Sequence, residues 1–259
     1  MLVKQQKEYR SAIFLDEEFL HNVNSRFEQF KGLYAKFLSK EYKLEAGQLE
    51  ANLEKNEIKD LNTKFAVEKF RKNSPVKFDA NWENGKSVRG VSLEELKEVL
   101  EYESSNPTRI LVETGDYGQF HISLNIKTSF LSTAELSAHA EMRDLPVICE
   151  SIDNIVSKST PEFSILHHSI VARLIQTCLI LAALVFSYLK PVGPDPSIYK
   201  IATNLGLLSV LWASCYFYVN FFPPVTFKYG NYNQGKTRIA AAAFIFTNIA
   251  LPYFSSKIS

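Results

Sequence analysis

One stretch limits what this chain can fold into more than any other: SIVARLIQTCLILAALVFSYLK, residues 169–190. It is apolar over the roughly 20 residues that a helix needs to cross a bilayer core of about 30 Å. Its first half nevertheless carries Arg173, Gln176 and Thr177. A second apolar stretch fills residues 201–222, and a shorter third one fills residues 239–254. Within residues 169–189 and these two stretches, Arg173 is the only charged residue. Most of the 29 basic and 28 acidic side chains lie in residues 1–160. The net charge of +1 is therefore the average of a charged front and an apolar back.

This distribution predicts an α+β membrane protein in three parts. Residues 1–74 would be an N-terminal helical hairpin with an oligomerisation or sensing role. Residues 75–160 would be a small antiparallel-sheet α+β domain on the cytoplasmic side. Residues 161–259 would be a C-terminal transmembrane helix pair plus a short third apolar helix. The spans are expected at 170–189 and 201–222, separated by PVGPDP and closed by Pro223 and Pro224. The third segment, with Asn248 and Pro252, is short for a span, and both crossing and lying at the interface stay open. No apolar run follows the basic residues of MLVKQQKEYRSAIFLDEEF, so no secretory signal is expected there. The expected location is a cell membrane with the N-terminal domain in the cytoplasm. Lys228, Lys236 and Arg238 agree with that orientation, whereas Lys190 and Lys200 weigh against it.

Residues 12–73 read as helical. Leu20, Val23, Phe27, Phe30, Tyr34 and Phe37 recur at alternating spacings of three and four, a heptad-like seam. A break is expected at residues 43–47. A second helix would then present Leu49, Leu53, Ile58, Leu61 and Phe65 on one face, with Asp60 and Lys64 paired on the other. The seam fits either a hairpin packed on its own domain or association between chains.

From residue 75 the apolar period shortens to two. VKFDANW alternates, Asn84 and Gly85 supply a tight turn, and KSVRGVS returns. Ser92 with Glu95 forms a capping box that opens a helix over 93–104. TRILVE, QFHISLNIK and TAELSAHAEM read as strands, and a last helix is expected from Leu145 to about Lys158. The result is an antiparallel sheet with one helix-covered face and one half-solvated face bearing His121, Ser123, Asn125, His139 and Glu141.

On a helical wheel, Ser169, Gln176, Thr177, Ile180, Leu184 and Ser187 fall within about 60° of Arg173. Polar groups in a bilayer normally face protein or water. In an oligomer, Ser169, Arg173, Gln176, Thr177, Ile180, Leu184 and Ser187 would line a pore, with Ile180 and Leu184 as an apolar constriction. The alternative is a snorkelling arginine beside Gln176 and Thr177 bonded across the helix pair.

Catalytic signatures are scarce. The sequence holds no phosphate loop and no dinucleotide fingerprint, and no cofactor or metal is expected. Cys149, Cys178 and Cys215 match no zinc spacing or disulfide framework. His167 and His168 are adjacent and so diverge on a helix, which suits an interfacial anchor better than a metal. His139 with Glu135 or Glu141 is capable of acid–base work, but a solvated strand face is the simpler reading, and no enzyme is expected. Lys4, Lys7 and Arg10, with Lys36, Lys40 and Lys43, are candidate contacts for an anionic ligand, against the plainer reading of a mixed-charge surface.

In layout the chain resembles membrane effectors of bacterial antiphage defence, in particular the membrane component of Hailong-type systems. The resemblance rests on the N-terminal helices at 12–73, the compact middle domain, and the terminal span pair followed by FFPPVTFKYG. It covers the whole chain as a layout and transfers no signature residue. It implies a homo-oligomeric, tetrameric channel opened by a single-stranded DNA oligomer or related nucleotide from a partner nucleotidyltransferase. The expected function is thus an oligomeric membrane channel or pore-forming effector gated through its cytoplasmic domain. A non-conducting membrane-anchored scaffold is the alternative.

Overall fold

The computed structural model describes residues 1–160, apart from residues 56, 104 and 128–132, together with Thr177 and residues 225–227. Its centre is a six-stranded antiparallel sheet. The strands are β1 (Leu2–Tyr9), β3 (Lys77–Asn81), β4 (Ser87–Val91), β5 (Arg109–Gly115), β6 (His121–Lys127) and β7 (Ala134–Glu141), in the order β1-β7-β6-β5-β3-β4. Alternation decides the two faces. Phe78, Ala80, Ile110, Val112, Ile122, Leu124, Ile126, Leu136 and Ala138 are buried on one side. Their polar neighbours point to the other.

Four helices cover the apolar face: α1 (Glu17–Glu41), α2 (Leu61–Asn73), α3 (Leu93–Tyr102) and α4 (Leu145–Lys158). The α1 stripe of Phe19, Leu20, Val23, Phe27, Phe30, Tyr34 and Leu38 is buried in the core. Full burial of each such side chain stabilises by roughly 1.5–3 kcal/mol relative to exposure. Asp16 caps α1 by accepting from the Phe19 N–H at 2.9 Å. The helix stops at Lys43, whose φ of 54° is left-handed. Lys43 N–H bonds to the Lys40 carbonyl at 3.3 Å and Leu44 N–H to the Ser39 carbonyl at 2.8 Å, a Schellman ending. The capping box of Ser92 and Glu95 opens α3 with both reciprocal bonds present.

A short parallel pair lies apart from the main sheet: β2 (Ile13–Leu15) and β8 (Val225–Phe227). Phe14 N–H also donates to the Ser159 carbonyl at 2.8 Å. One three-residue strand thus holds both the end of α4 and the returning chain at β8.

Several expectations need correction. The membrane-protein class does not hold for this structure: among the described residues no helix is long and apolar enough to cross a membrane. Among the described residues the same finding goes against the transmembrane and ion-channel character. The physical reason is clearest at α1. Its 25 residues have the length for a span, but Glu17, Glu18, Arg26, Glu28, Lys31, Lys36 and Lys40 give it a charged side, and its apolar side is occupied by the sheet. The expected spans at 170–189 and 201–222 and the helix at 239–254 lie outside the described residues.

The front of the chain is not a separate helical hairpin. Residues 2–9 form β1, an edge strand of the sheet, and α1 and α2 pack into the same core. The heptad-like seam is filled by the chain's own strands and helices. The second helix begins only at Leu61, after a single 3-10 turn at Glu50–Asn52. Its buried residues are Thr63, Ala66 and Val67, while Leu61 and Phe65 are exposed. Asp60 caps this helix by accepting from Thr63 N–H at 2.7 Å, a local bond that replaces the expected pair with Lys64.

Candidate functional site

The face of the sheet opposite the helices presents its polar residues in ordered rows. Antiparallel registry sets Lys4 opposite His139, His139 opposite His121, and His121 opposite Gly115. The next row runs Gln6, Ser137, Ser123, Glu113 and Lys77. The third runs Glu8, Glu135, Asn125, Leu111 and Asp79. Directly opposed residues bring their Cβ atoms to about 4.5–5.5 Å, so side chains along a row touch or nearly touch. A depression of about 410 Å³ opens here, lined chiefly by Lys4, Arg109, His121, Ser123, Ser137 and His139.

One wall is the turn between β5 and β6. Tyr117 stacks on the His121 imidazole with centroids 3.9 Å apart, and the residue remains 67% exposed. The Tyr117 hydroxyl donates to Glu113. The same carboxylate stands 3.7 Å from His121 Nε2, an ion-pair distance too long for a hydrogen bond. His121 Nε2 is enclosed and has no hydrogen-bond partner. Gly115 shapes this turn: its φ is 96°, and a Cβ there would collide with the Phe120 carbonyl oxygen. Lys69 of α2 ties the turn to the helices through Asp116 at 3.4 Å, Gln119, and Glu41 at 3.4 Å.

His121, with Tyr117 assisting, holds the Glu113 carboxyl below its ordinary value despite partial burial. Burial, and then the bond to Glu113, push the Tyr117 phenol up to about 12. Arg109 donates through Nε to Asn125 Oδ1 at 2.7 Å. Among the described residues its terminal guanidinium nitrogens, like the exposed Lys4 ammonium, have no partner. Glu135, the acid in the depression, is balanced by Lys127 at 3.2 Å. The site thus offers two cations, two imidazoles, two hydroxyls and an aromatic plane on a rigid sheet. That set suits a phosphorylated ligand carrying a ring. Among the described residues no cluster of three His, Cys, Asp or Glu could hold a metal ion.

No family model, curated protein or solved structure matches the chain.

Of the residues singled out in the sequence, His121, Ser123, Asn125 and His139 meet on this face. Glu141 leaves it at the strand end, where Lys40 reaches it at 2.7 Å and Arg143 at 3.0 Å. The six candidate basic residues do not form one cluster. Lys4 lines the depression, but Lys7 lies on the helix side and pairs with Asp153 at 2.6 Å. Arg10 lies beyond β1 beside Glu8 at 3.5 Å, and Lys36, Lys40 and Lys43 are at the far end of α1. Among the seven pore-lining candidates only Thr177 is described, helical and exposed. Ser169, Arg173, Gln176, Ile180, Leu184 and Ser187 lie outside the described residues, as do His167 and His168. Sequence reasoning missed Arg109, Glu113, Tyr117 and Ser137 as members of the site. The alternation of Arg109, Leu111 and Glu113 was the available signal, but only the β5–β6 registry shows which face it joins.

Proposed function

We propose that this chain is a ligand-responsive effector whose open sheet face binds a phosphorylated ligand of the nucleotide class, up to a short single-stranded oligonucleotide. The observation that supports this most directly is the Tyr117–His121 stack beside the Lys4 ammonium and the terminal guanidinium nitrogens of Arg109 in one depression. A base stacks on an exposed aromatic ring, and the two cations meet phosphate oxygens. Glu135 does not oppose an anion there, because Lys127 balances its charge at 3.2 Å. The resemblance to Hailong-type effectors implies the same sensing role for the front of such a chain.

The test is fluorescence anisotropy of the full chain with labelled mononucleotides and single-stranded oligomers. Binding should weaken with added salt. Tyr117→Ala should weaken it about 5- to 150-fold, the range of one lost base–aromatic stack. Lys4→Ala and Arg109→Ala should each weaken it about tenfold. Affinity that is unchanged in all three variants, or no binding at all, would remove the proposal.

A further inference from the structure

The open face holds an arrangement that nucleotide binding alone does not use. The segment His121-Ile122-Ser123 on β6 runs antiparallel to Ser137-Ala138-His139 on β7. Registry sets His121 opposite His139 and Ser123 opposite Ser137, so two imidazoles and two hydroxyls occupy adjacent corners of one patch. Lys4 and Arg109 stand on either side of it in the same depression. The two imidazoles are not equivalent. Glu113 faces Nε2 of His121 at 3.7 Å, which leaves Nδ1 as that ring's nitrogen for the depression. His139 sits on the adjoining strand with no carboxylate opposite it in its row, its neighbours there being Lys4 and His121.

The geometry points to a metal-independent phosphodiester transfer on this face, with a single-stranded ribonucleotide as substrate. This rests on the nucleotide-binding reading and extends it from binding to turnover. His121 Nδ1 takes the proton from a ribose 2′-hydroxyl. The 2′-oxygen forms a bond to the adjacent phosphorus, and the bond from phosphorus to the 5′-oxygen breaks. His139 gives a ring proton to that leaving oxygen. The products are a 2′,3′-cyclic phosphate and a 5′-hydroxyl, and the two imidazoles recover their starting states by proton exchange with water. Lys4, Arg109 and the two serine hydroxyls face the charge that builds on the non-bridging oxygens. Glu113 is a positioning residue: it acts through His121 by stabilising the imidazolium as it forms.

The experiment compares an end-labelled RNA oligomer with the DNA oligomer of the same sequence, each incubated with the full chain in excess chelator. RNA should be cut to cyclic-phosphate and 5′-hydroxyl ends, and DNA should be bound but left intact. His139→Ala and His121→Ala should each lower the rate about 100-fold or more, the usual share of one general acid or base. His139→Asn keeps the test valid if His121→Ala does not fold. Glu113→Gln should lower kcat while KM holds, beyond the modest loss of melting temperature that removing its charge brings. Binding of RNA without cleavage would overturn the inference and leave the binding proposal intact. Cleavage of DNA, or cleavage that survives both histidine variants, would also overturn it. Loss of both binding and cleavage would overturn the two readings together.

Discussion

Among the described residues Tyr34 is the largest side chain buried without any exposure, and its hydroxyl has no hydrogen-bond partner within bonding distance, though the Asn73 side chain is near enough to act on it. The ring itself is well used: it stacks against Phe120 at 5.5 Å and Phe70 at 5.9 Å. A buried hydroxyl that gives up water without gaining a partner costs about 1–3 kcal/mol. Tyr34→Phe keeps the stack and removes the cost, so it should stabilise the protein by about 1 kcal/mol in denaturant titrations. Tyr34→Ala should destabilise by about 3–5 kcal/mol through the cavity it leaves. A loss of stability in Tyr34→Phe would mean that the hydroxyl is satisfied after all. Single residues were also where the sequence was most readable. The Ser92 and Glu95 cap, the Gly85 turn and the alternating histidines of β6 and β7 are set by neighbours a few positions away. Tyr117 was opaque for the opposite reason: its role depends on Glu113 and His121, which only the folded turn brings beneath it.

At the scale of elements, α1 ends on a residue poorly suited to its backbone. Lys43 adopts a φ of 54°, a conformation that costs a non-glycine residue roughly 1–2 kcal/mol. The Schellman bonds from Lys43 and Leu44 hold it there. Lys43→Gly should relieve that cost and stabilise the chain by about 1 kcal/mol, after allowing for the greater freedom of glycine when unfolded. Lys43→Ala should not, because alanine keeps its Cβ; equal gains in the two variants by thermal melts would show that the left-handed cap is not the cause. The sequence suggested a break here, at residues 43–47, yet it misread what flanks it. β1 was invisible as a strand because LVKQQKEY is polar on both faces, as an edge strand with one flank in solvent can be. The second helix was extended too early because Leu49, Leu53 and Ile58 mimic its period while packing from a loop and a 3-10 turn. The α1 seam was legible as apolar, but periodicity alone does not say whether such a stripe meets another chain or its own sheet.

For the whole molecule, the sheet is a platform with its helices on one side and its polar rows on the other, and Glu113, Glu141 and Asp153 are three of the carboxylates that fasten it. Glu113 lies on the open face beside His121 and Tyr117. Glu141 joins the end of β7 to α1 through Lys40, with Arg143 adding to the effect. Asp153 joins α4 to β1, where Lys7 and the Tyr9 hydroxyl outweigh the burial that opposes its charge. All three carboxyls are held below their ordinary values, 4.5 for the glutamates and 3.8 for the aspartate. The unfolded chain therefore takes up protons from these groups at a higher pH than the folded chain does. Their stabilisation is fully present above the ordinary carboxylate range and is lost as pH falls through the lowered folded values. The melting temperature should thus decline progressively below about pH 5. Glu113→Gln, which has no charge to lose, should make that decline shallower, as should Asp153→Asn. Because the three fastenings lie far apart on the sheet, their effects should add, and a double variant should flatten the acid limb by the sum of the single ones. An acid limb unchanged in both variants, measured by calorimetry on the full chain, would show that these carboxylates do not set the pH dependence of the fold.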